Sequence, residues 1–272
     1  TGVRVRAAGA AKGQTRDVPA KLVVGADGAY SVVARRLGMD QLDEKHYVAG
    51  IRAYYEGMDN FHPYRFLEIY FVEEAMPGYF WIFPMPNGRA NVGIGMLSRA
   101  VKRGDVRLKA LLDEVVALPR VRDRFAGARR TGAVKGWGLP LGSRPRPMAG
   151  DGWMLVGDAA SLIDPFSGEG IGNAMVSGDL AAQWAAKAVA AGDASAALLK
   201  GYEAEVLALL RQELRLSHTM QRLGNWTWLL NTVIRKAARS PELADAISGM
   251  FDDLNERSKL ASPMFYLRIL TA

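Results

Sequence analysis

Two short apolar runs of this 272-residue chain end in the same way, in a glycine followed closely by an aspartate. The first spans Leu22–Gly28 and the second spans Trp153–Asp158. Runs of this length and composition predict buried strands, because strands covered on both faces are apolar throughout. Ligands bind at the carboxyl ends of the strands in open α/β sheets, so we expect both Gly-Asp turns to lie at one ligand site.

The chain between these two runs places apolar and aromatic residues at alternate positions. Alternation with a period of two predicts strands that bury one face. Pro86-Asn87-Gly88 predicts a hairpin, because Asn-Gly favours the left-handed backbone that a tight turn needs. A helix capped by Asp105 is predicted over Asp105–Leu118. The strands predicted in this region are Tyr47–Tyr55, Tyr64–Val72, Tyr79–Phe83, Ala90–Met96 and Thr131–Leu139.

The flanking segments predict mainly helices. An edge strand over Val3–Arg6 and a short helix over Ser31–Leu37 precede the aromatic region. After the second Gly-Asp turn the pattern is helical almost throughout. The helices predicted there are Gly170–Ala191, Ala196–Arg222, Trp226–Arg239 and Pro241–Ala261.

The composition excludes several kinds of site. Because the sequence has no cysteine, it supplies no disulfide, thiolate metal site, iron–sulfur cluster or cysteine nucleophile. Its three histidines lie far apart in the sequence, so we expect no histidine-rich metal centre. The formal net charge is +7, and residues 1–36 hold seven basic and two acidic side chains. This segment favours a phosphate-bearing cofactor or an acidic membrane surface, and no motif for binding nucleic acid is present.

The second Gly-Asp turn leads into a glycine-rich loop and a long helix. The carboxylate of Asp158 can accept hydrogen bonds from the hydroxyl groups of a ligand. Gly168, Gly170 and Gly172 lack Cβ atoms, so a flat or anionic group can approach the backbone closely. The start of the helix presents free N–H groups to that position. The alternative is an ordinary strand–turn–helix in which the glycines serve packing alone.

The two motifs together resemble the FAD-dependent oxidoreductases that have the para-hydroxybenzoate-hydroxylase-type fold. This resemblance implies that the first motif lies near the pyrophosphate of FAD, through Gly25, Asp27, Gly28, Ser31 and Arg35. It also implies that the second motif holds the ribityl chain at Asp158 and borders the isoalloxazine ring. The residues of that second set are Gly157, Asp158, Pro165, Gly168, Gly170, Ile171, Gly172 and Asn173.

The aromatic region resembles one particular family among these oxidoreductases. Gly78–Pro84 and Asn91–Gly95 resemble the Tyr-x-Trp-x-Phe-Pro and Asn-Val-Gly-Ile-Gly pair of geranylgeranyl reductases, although Met85 stands where that family usually has lysine. Alternate residues of a strand share one face, so three aromatic side chains can line an apolar slot for an isoprenoid chain. The alternative is that they form plain sheet core. These substrate-site candidates are Tyr79, Trp81 and Phe83.

The expected fold is α/β (α+β), with a partial Rossmann-like FAD/NAD(P)-binding domain, an inserted antiparallel-sheet substrate domain and a helical C-terminal tail. The FAD-binding domain is predicted at 1–41 and 149–195, the substrate domain at 42–148 and the tail at 196–272. The family's opening Gly-x-Gly-x-x-Gly unit, which binds the adenosine half of FAD, is absent from the sequence. We expect that unit to lie upstream of Thr1.

The resemblance implies an enzyme that reduces C=C bonds of a geranylgeranyl-type prenyl lipid or isoprenoid by hydride transfer from FAD, with NAD(P)H as electron donor. Glu169 is a candidate proton donor, and a first-turn acid of the helix is the alternative role. Two other functions stay open. One is a flavin-dependent monooxygenase or halogenase on the same fold, and the other is a non-catalytic relative that binds lipid or a protein partner.

A segment near the end of the chain suggests contact with a membrane. Asn225–Leu230, followed by Arg235 and Lys236, resembles an amphipathic helix at a lipid interface. A helix packed on the substrate domain explains the same residues and is the preferred interpretation. No apolar run is long enough to span a bilayer. We expect a cytoplasmic protein, and peripheral membrane contact stays open.

Overall fold

The structure is a computed structural model that describes residues 2–9, 11, 13–39 and 42–249. It mixes sheets and helices, which confirms the predicted α/β (α+β) class. The strands are β1 (Gly2–Val5), β2 (Arg16–Pro19), β3 (Val23–Gly25), β4 (Tyr47–Glu56), β5 (Glu68–Tyr70), β6 (Gly78–Met85), β7 (Arg89–Leu97), β8 (Arg129–Pro140), β9 (Ala149–Gly150) and β10 (Trp153–Leu155). The helices are α1 (Val32–Arg36), α2 (Ser98–Arg103), α3 (Leu108–Ala117), α4 (Pro119–Arg122), α5 (Ile171–Ala191), α6 (Ala196–Gly224), α7 (Thr227–Ala237) and α8 (Pro241–Gly249).

Contacts within the chain divide it into two compact units. Unit 1 contains Thr1–Gln41 and Pro140–Ala272, and unit 2 contains Leu42–Leu139. The second boundary is predicted after residue 148, whereas the contacts place it at Pro140. The helices after residue 195 are predicted to form a separate tail, whereas α6, α7 and α8 belong to unit 1.

The core of unit 1 forms where α5 and α6 pack on a three-stranded sheet of order β3-β10-β9. Strand β10 runs parallel to β3 and antiparallel to β9. Met154 and Leu155 of β10 are buried in one cluster with Tyr202 of α6. The Tyr202 hydroxyl donates a hydrogen bond to the Leu155 carbonyl oxygen over 2.7 Å. Helix α6 therefore supports β10 directly, because it fills the core and satisfies a polar group at the end of this strand.

Unit 2 is built on a five-stranded sheet of order β5-β6-β7-β4-β8. Strands β6 and β7 are antiparallel, and the predicted hairpin joins them, with φ angles of 61° at Asn87 and 65° at Gly88. Phe80 and Ile82 of β6 are fully buried in one cluster with Val115 of α3. Alternate residues of β6 therefore lie on the opposite face of the sheet.

Two predictions for unit 2 are wrong in detail. The strand predicted over Tyr64–Val72 is limited to Glu68–Tyr70, because the residues before it are exposed and stack on one another, with the rings of His62 and Phe66 4.5 Å apart. The predicted helix over Asp105–Leu118 begins at Leu108. Asp105 has a φ of 47°, in the left-handed region, so it belongs to the preceding turn and does not cap the helix.

Helix α7 buries one of its faces within unit 1. Leu229 and Val233 of α7 form a small cluster with Leu223, Leu243 and Ile247 of the neighbouring helices α6 and α8. The helix predicted over Pro241–Ala261 is present up to Gly249, and its remainder lies outside the described residues. In the ranges that the structure describes, every helix is too short or too polar to cross a bilayer.

Candidate functional site

The two Gly-Asp turns lie at the same edge of the sheet in unit 1. Strands β3 and β10 are in parallel register, with Gly25 opposite Leu155. The N–H of Val156 donates to the Gly25 carbonyl oxygen at 3.1 Å, so the pairing continues to the start of the second turn. Asp27 and Asp158 therefore follow neighbouring strand ends, as the two apolar runs predicted.

The carboxylate of Asp27 is used within its own turn. It accepts hydrogen bonds from the N–H groups of Val32 at 2.6 Å and Val33 at 3.2 Å, while Ser31 Oγ accepts from the Ala34 N–H at 2.9 Å. Desolvation works against ionisation of Asp27, but hydrogen bonds from Ser31 and from the backbone outweigh it and hold its pKa below the ordinary value. These side chains cap α1 and occupy N–H groups that would otherwise be open to an anion.

The rest of the first motif also builds the turn. A Cβ at Gly25 would lie 2.6 Å from Leu155 Cδ2, so glycine is required for β3 and β10 to pack this closely. Arg35 Nε donates to the Ser31 carbonyl oxygen at 3.3 Å. Gly28 differs, because it has a φ of 73° and open space where a Cβ would stand. The backbone at Gly28 is therefore open to a ligand.

The carboxylate of Asp158 differs from that of Asp27 in its hydrogen bonds and in the direction of its pKa shift. Asp158 is half-buried, and this burial raises its pKa above the ordinary value. Within the described part of the chain, no N–H or O–H group donates a hydrogen bond to this carboxylate. A Cβ at Gly170 would lie 3.3 Å from Asp158 Oδ1, so glycine leaves room beside the carboxylate. The carboxylate is therefore available as an acceptor, and the hydroxyl groups of a bound polyol such as a ribityl chain could donate to it.

A second aspartate, which is not among the predicted site residues, holds the loop that follows. Asp164 is buried, and its Oδ1 accepts from the Phe166 N–H at 3.0 Å, the Ser167 N–H at 2.7 Å and the Ser167 hydroxyl at 2.8 Å. Its Oδ2 accepts from the Ser217 hydroxyl of α6 at 2.5 Å. The Asp-Pro pair at 164–165 is a turn signal that could have indicated this role. The contact with Ser217 has no local sequence signal.

The same loop has two further anchors. The carbonyl oxygen of Pro165 accepts from Gln221 Nε2 of α6 at 2.7 Å. The N–H of Gly168, which has a φ of 74°, donates to the Asp164 carbonyl oxygen at 3.0 Å. Pro165 and Gly168 are therefore held in place from both the loop and α6.

The start of α5 faces the end of β10. Gly157 has a φ of 54°, and a Cβ there would lie 2.8 Å from the Cβ of Ala174. The Gly157 N–H donates to Ser177 Oγ of α5 at 3.0 Å. Glycine at this position thus allows the strand end and the helix to make close contact.

The first turn of α5 carries two N–H groups that no acceptor among the described residues meets. Glu169 accepts from the Gly172 N–H at 2.7 Å, but it precedes the N-cap Gly170 and so is not itself a first-turn acid of the helix. The Asn173 side chain is buried and donates to the Leu162 carbonyl oxygen at 2.7 Å. Across the described ranges, no acceptor meets the backbone N–H groups of Ile171 and Asn173. These groups, at the positive end of a 21-residue helix, can bind a partly negative ring edge.

The three aromatic candidates of unit 2 lie together on one face of β6. Tyr79 and Trp81 meet edge to face at 6.0 Å, and Trp81 and Phe83 stack at 5.8 Å. Their side chains are half-buried, while Phe80 and Ile82 between them fill the core on the opposite face. The three rings are therefore more exposed than the core residues that alternate with them.

Glycines on the neighbouring strand give these rings their position. Trp81 pairs with Gly93, and a Cβ at Gly93 would lie 2.3 Å from a ring carbon of Trp81. Trp81 Nε1 donates to Asn91 Oδ1 at 3.1 Å, so its polar atom is satisfied. The indole ring can thus lie flat across β7 and present an apolar surface.

Comparison with known proteins finds one matching family and several similar sequences. The FAD binding domain family matches residues 1–217. The chain is 35% identical over 251 residues to the digeranylgeranylglycerophospholipid reductase of Methanoculleus marisnigri, an alignment that covers 89% of this chain and 60% of that protein. It is 36% identical over 170 residues to the menaquinone reductase of Mycobacterium tuberculosis, covering 61% of this chain and 41% of that protein.

Solved structures of other proteins superpose on this chain. A geranylgeranyl bacteriochlorophyll reductase-like protein of Thermoplasma acidophilum superposes with a TM-score of 0.72 at 25% identity, covering 95% of this chain and 60% of that one. The flavin-dependent brominase Bmp2 superposes with a TM-score of 0.67 at 20% identity, covering 90% of this chain and 59% of that one, and this likeness shows a shared fold. The chain spans about 60% of the length of its reductase relative from Methanoculleus marisnigri. From the match over residues 1–217, this chain belongs to the FAD-binding domain family.

Proposed function

We propose that the protein to which this chain belongs reduces C=C bonds of a prenyl lipid, with FAD as its cofactor. The half-buried aromatic face of Tyr79, Trp81 and Phe83 is the observation that carries the prenyl part of this proposal. An isoprenoid chain has no polar handle, so it must be held by apolar contact of this kind. The names of the relatives, a digeranylgeranylglycerophospholipid reductase and a menaquinone reductase, support the same class of substrate.

The residues of unit 1 fit FAD. Asp158 would accept hydrogen bonds from the ribityl hydroxyl groups. Its carboxylate receives no such bond from the described residues of the protein. The free N–H groups of Ile171 and Asn173 would stabilise negative charge on the ring. Gly28 would leave room for the pyrophosphate, in a turn that Asp27 and its neighbours hold rigid. When bound and reduced by the electron donor, FAD would supply a hydride to one carbon of the C=C bond, and a proton from solvent would add to the other.

The protein's own contribution is positioning. The aromatic rings would hold the prenyl chain in an apolar, water-poor surface, and a fixed double bond reacts faster than a mobile one. Glu169 already accepts a hydrogen bond from Gly172, so we propose that it orders the start of α5 and is not the proton donor. NAD(P)H is the electron donor that we propose.

The test uses full-length protein with a geranylgeranyl substrate under anaerobic conditions. FAD is reduced either by NADPH or by dithionite, and mass spectrometry detects the saturated product. Product with dithionite alone would separate the reaction from the choice of donor. Substrate-dependent oxygen consumption with a hydroxylated or halogenated product would instead establish a monooxygenase or halogenase, and a purified protein without flavin would favour a non-catalytic relative.

Trp81→Ala tests the aromatic face itself. We expect at least a tenfold loss of kcat/KM for the prenyl substrate, because a large apolar contact is removed. The FAD content should stay unchanged. Phe80→Leu, which alters the opposite face of the same strand, serves as the control and should affect stability more than turnover. Equal loss of flavin and turnover in Trp81→Ala would instead assign the ring a structural role.

We also propose that α7 makes the membrane contact. Trp226, at the N-cap of α7, and Trp228, in its first turn, are 56% and 58% exposed. Leu214–Ser240 contains five basic residues and no acidic one, which suits an anionic lipid surface. Flotation with phosphatidylglycerol vesicles should show weaker binding of the variant Trp226→Ala with Trp228→Ala. The control Trp137→Ala, which removes an exposed tryptophan of unit 2, should bind normally.

A further inference from the structure

Arg52 lies on the same sheet face as the aromatic candidates. In the strand register, Arg52 of β4 is opposite Gly93 of β7, and Gly93 is in turn opposite Trp81 of β6. Directly opposed residues of antiparallel strands share a face, so Arg52, Gly93 and Trp81 form one row across the sheet. Tyr54, Asn91 and Phe83 form the next row in the same way.

The guanidinium of Arg52 has no counter-charge in the described part of the chain. The guanidinium lies over the ring of Tyr54, whose centroid is 4.3 Å from Arg52 Cζ. The side chain is half-buried, and the polar residues Asn91, Glu56 and Arg89 lie on the same face in the following rows. An anionic ligand would give the Arg52 guanidinium a counter-charge and charge-assisted hydrogen bonds.

The other arginines on the strands of this sheet are different. Arg89 lies over the same Tyr54 ring, at 5.7 Å, but its Nε is 3.6 Å from Glu56 Oε1. Arg129 donates to Glu56 at 2.8 Å, and Arg130 donates to Asp113 at 2.5 Å. Since these three are paired with carboxylates, the state of Arg52 is specific to its position on the aromatic face.

The aromatic surface runs directly up to this charge. Because Gly93 has no side chain, the ring of Trp81 covers its backbone and extends along the row towards Arg52. No other side chain stands between Trp81 and Arg52 in that row. The face therefore places an apolar platform directly beside the guanidinium of Arg52.

We propose that Arg52 binds the phosphate of a prenyl substrate whose chain lies on Tyr79, Trp81 and Phe83. This inference rests on the proposed function and names the class of substrate as prenyl phosphates and phospholipids. Arginine suits this task, because its planar donors match phosphate oxygens in pairs. A neutral prenyl quinone or alcohol would leave the guanidinium without a counter-charge. Prenyl diphosphates and prenylated glycerophospholipids share the required chemistry.

The experiment compares three substrates that carry the same prenyl group, using full-length holoenzyme. They are geranylgeranyl diphosphate, digeranylgeranylglyceryl phosphate and geranylgeraniol. The readout is the ratio of kcat/KM for each phosphate-bearing substrate to that for the alcohol. In Arg52→Gln we expect this ratio to fall about 30-fold, chiefly through KM, because charge-assisted hydrogen bonds to phosphate are lost. Arg52→Lys should recover part of it, since it restores the charge but not the paired donors.

Arg89→Gln is the matched control, because it removes a positive charge over the same tyrosine ring from an arginine that is already paired. It should leave the ratio near the wild-type value. A fall in the ratio for one phosphate-bearing substrate alone would assign the natural source of the phosphate and support the proposal.

Three results would overturn the proposal. They are equal loss for the alcohol in Arg52→Gln, an Arg89→Gln effect as large as that of Arg52→Gln, and a wild-type enzyme that reduces the alcohol but neither phosphate. In each of these cases prenyl reduction itself still stands. If dithionite-reduced holoenzyme reduces none of the three substrates, the proposed function fails and this inference fails with it.

Discussion

The turn after β3 and the turn after β10 end neighbouring parallel strands and share the Gly-Asp pattern, yet their carboxylates differ. Asp27 accepts hydrogen bonds from α1, and its pKa is lowered. Asp158 has no donor among the residues described, and burial raises its pKa. The difference teaches that a motif aspartate can serve the fold or a ligand, and that hydrogen bonding distinguishes the two roles.

Unit 2 shows the same contrast between paired and unpaired charged groups, here among arginines. Its strand arginines Arg89, Arg129 and Arg130 are paired with carboxylates, whereas Arg52 lies over a tyrosine ring and has no carboxylate partner within the described residues. We propose that Asp158 in unit 1 and Arg52 in unit 2 each bind a ligand group. The comparison predicts that removing a satisfied charge costs stability, while removing an unsatisfied one costs binding.

The largest effect on stability is expected at Asp164, the most extensively bonded of these aspartates. Asp164→Ala should lower the free energy of unfolding by about 3 kcal/mol, because buried donors on the loop and on Ser217 lose their acceptor. FAD content should fall with it, since the Pro165–Gly168 loop loses its anchor. Urea unfolding and flavin absorbance measure both. Asp151→Ala, an exposed aspartate with a hydrogen bond to the Ala196 N–H, is the control and should keep its flavin.

A smaller loss of stability is expected for Asp27→Ala. The substitution should lower the free energy of unfolding by about 1–2 kcal/mol, because the carboxylate is a helix-capping group. Since its pKa is lowered on folding, the stabilisation is present above about pH 4 and disappears as the pH falls through the folded-state pKa. Thermal unfolding at several pH values should show this dependence in the wild type and a weaker one in the variant. A variant as stable as the wild type at neutral pH would contradict the capping role.

The smallest effect on stability is expected for Asp158→Asn. The apoprotein should be as stable as the wild type or slightly more stable, because an unsatisfied charge is removed. A raised pKa means that the wild-type apoprotein gains stability as the pH falls through it, and the variant should lack this gain. FAD affinity should nevertheless drop tenfold or more, since hydrogen bonds to a charged acceptor are lost. Unchanged FAD affinity in the full-length protein would falsify the assignment of Asp158.

Much of this arrangement could be predicted from local sequence. The apolar runs indicated the parallel strands β3 and β10, and Asn87-Gly88 indicated the hairpin, because both signals depend on neighbouring residues. The bond from Ser217 to Asp164 could not be predicted, since it joins residues 53 positions apart through the packing of α6. The same limit applies to Arg52, whose lack of a carboxylate partner depends on strand register.

Helix α6 is about 43 Å long at the usual rise per residue, and its two ends have different tasks. Leu199, Tyr202 and Val206 in its first half are buried in the core, while Ser217 and Gln221 near its end hold the Asp164 loop. Helices fray from their ends, so local opening of the last turns would release the loop while the core stays intact. Amide hydrogen exchange should therefore be faster at residues 217–221 than at 199–206, and cofactor loss should precede global unfolding on heating.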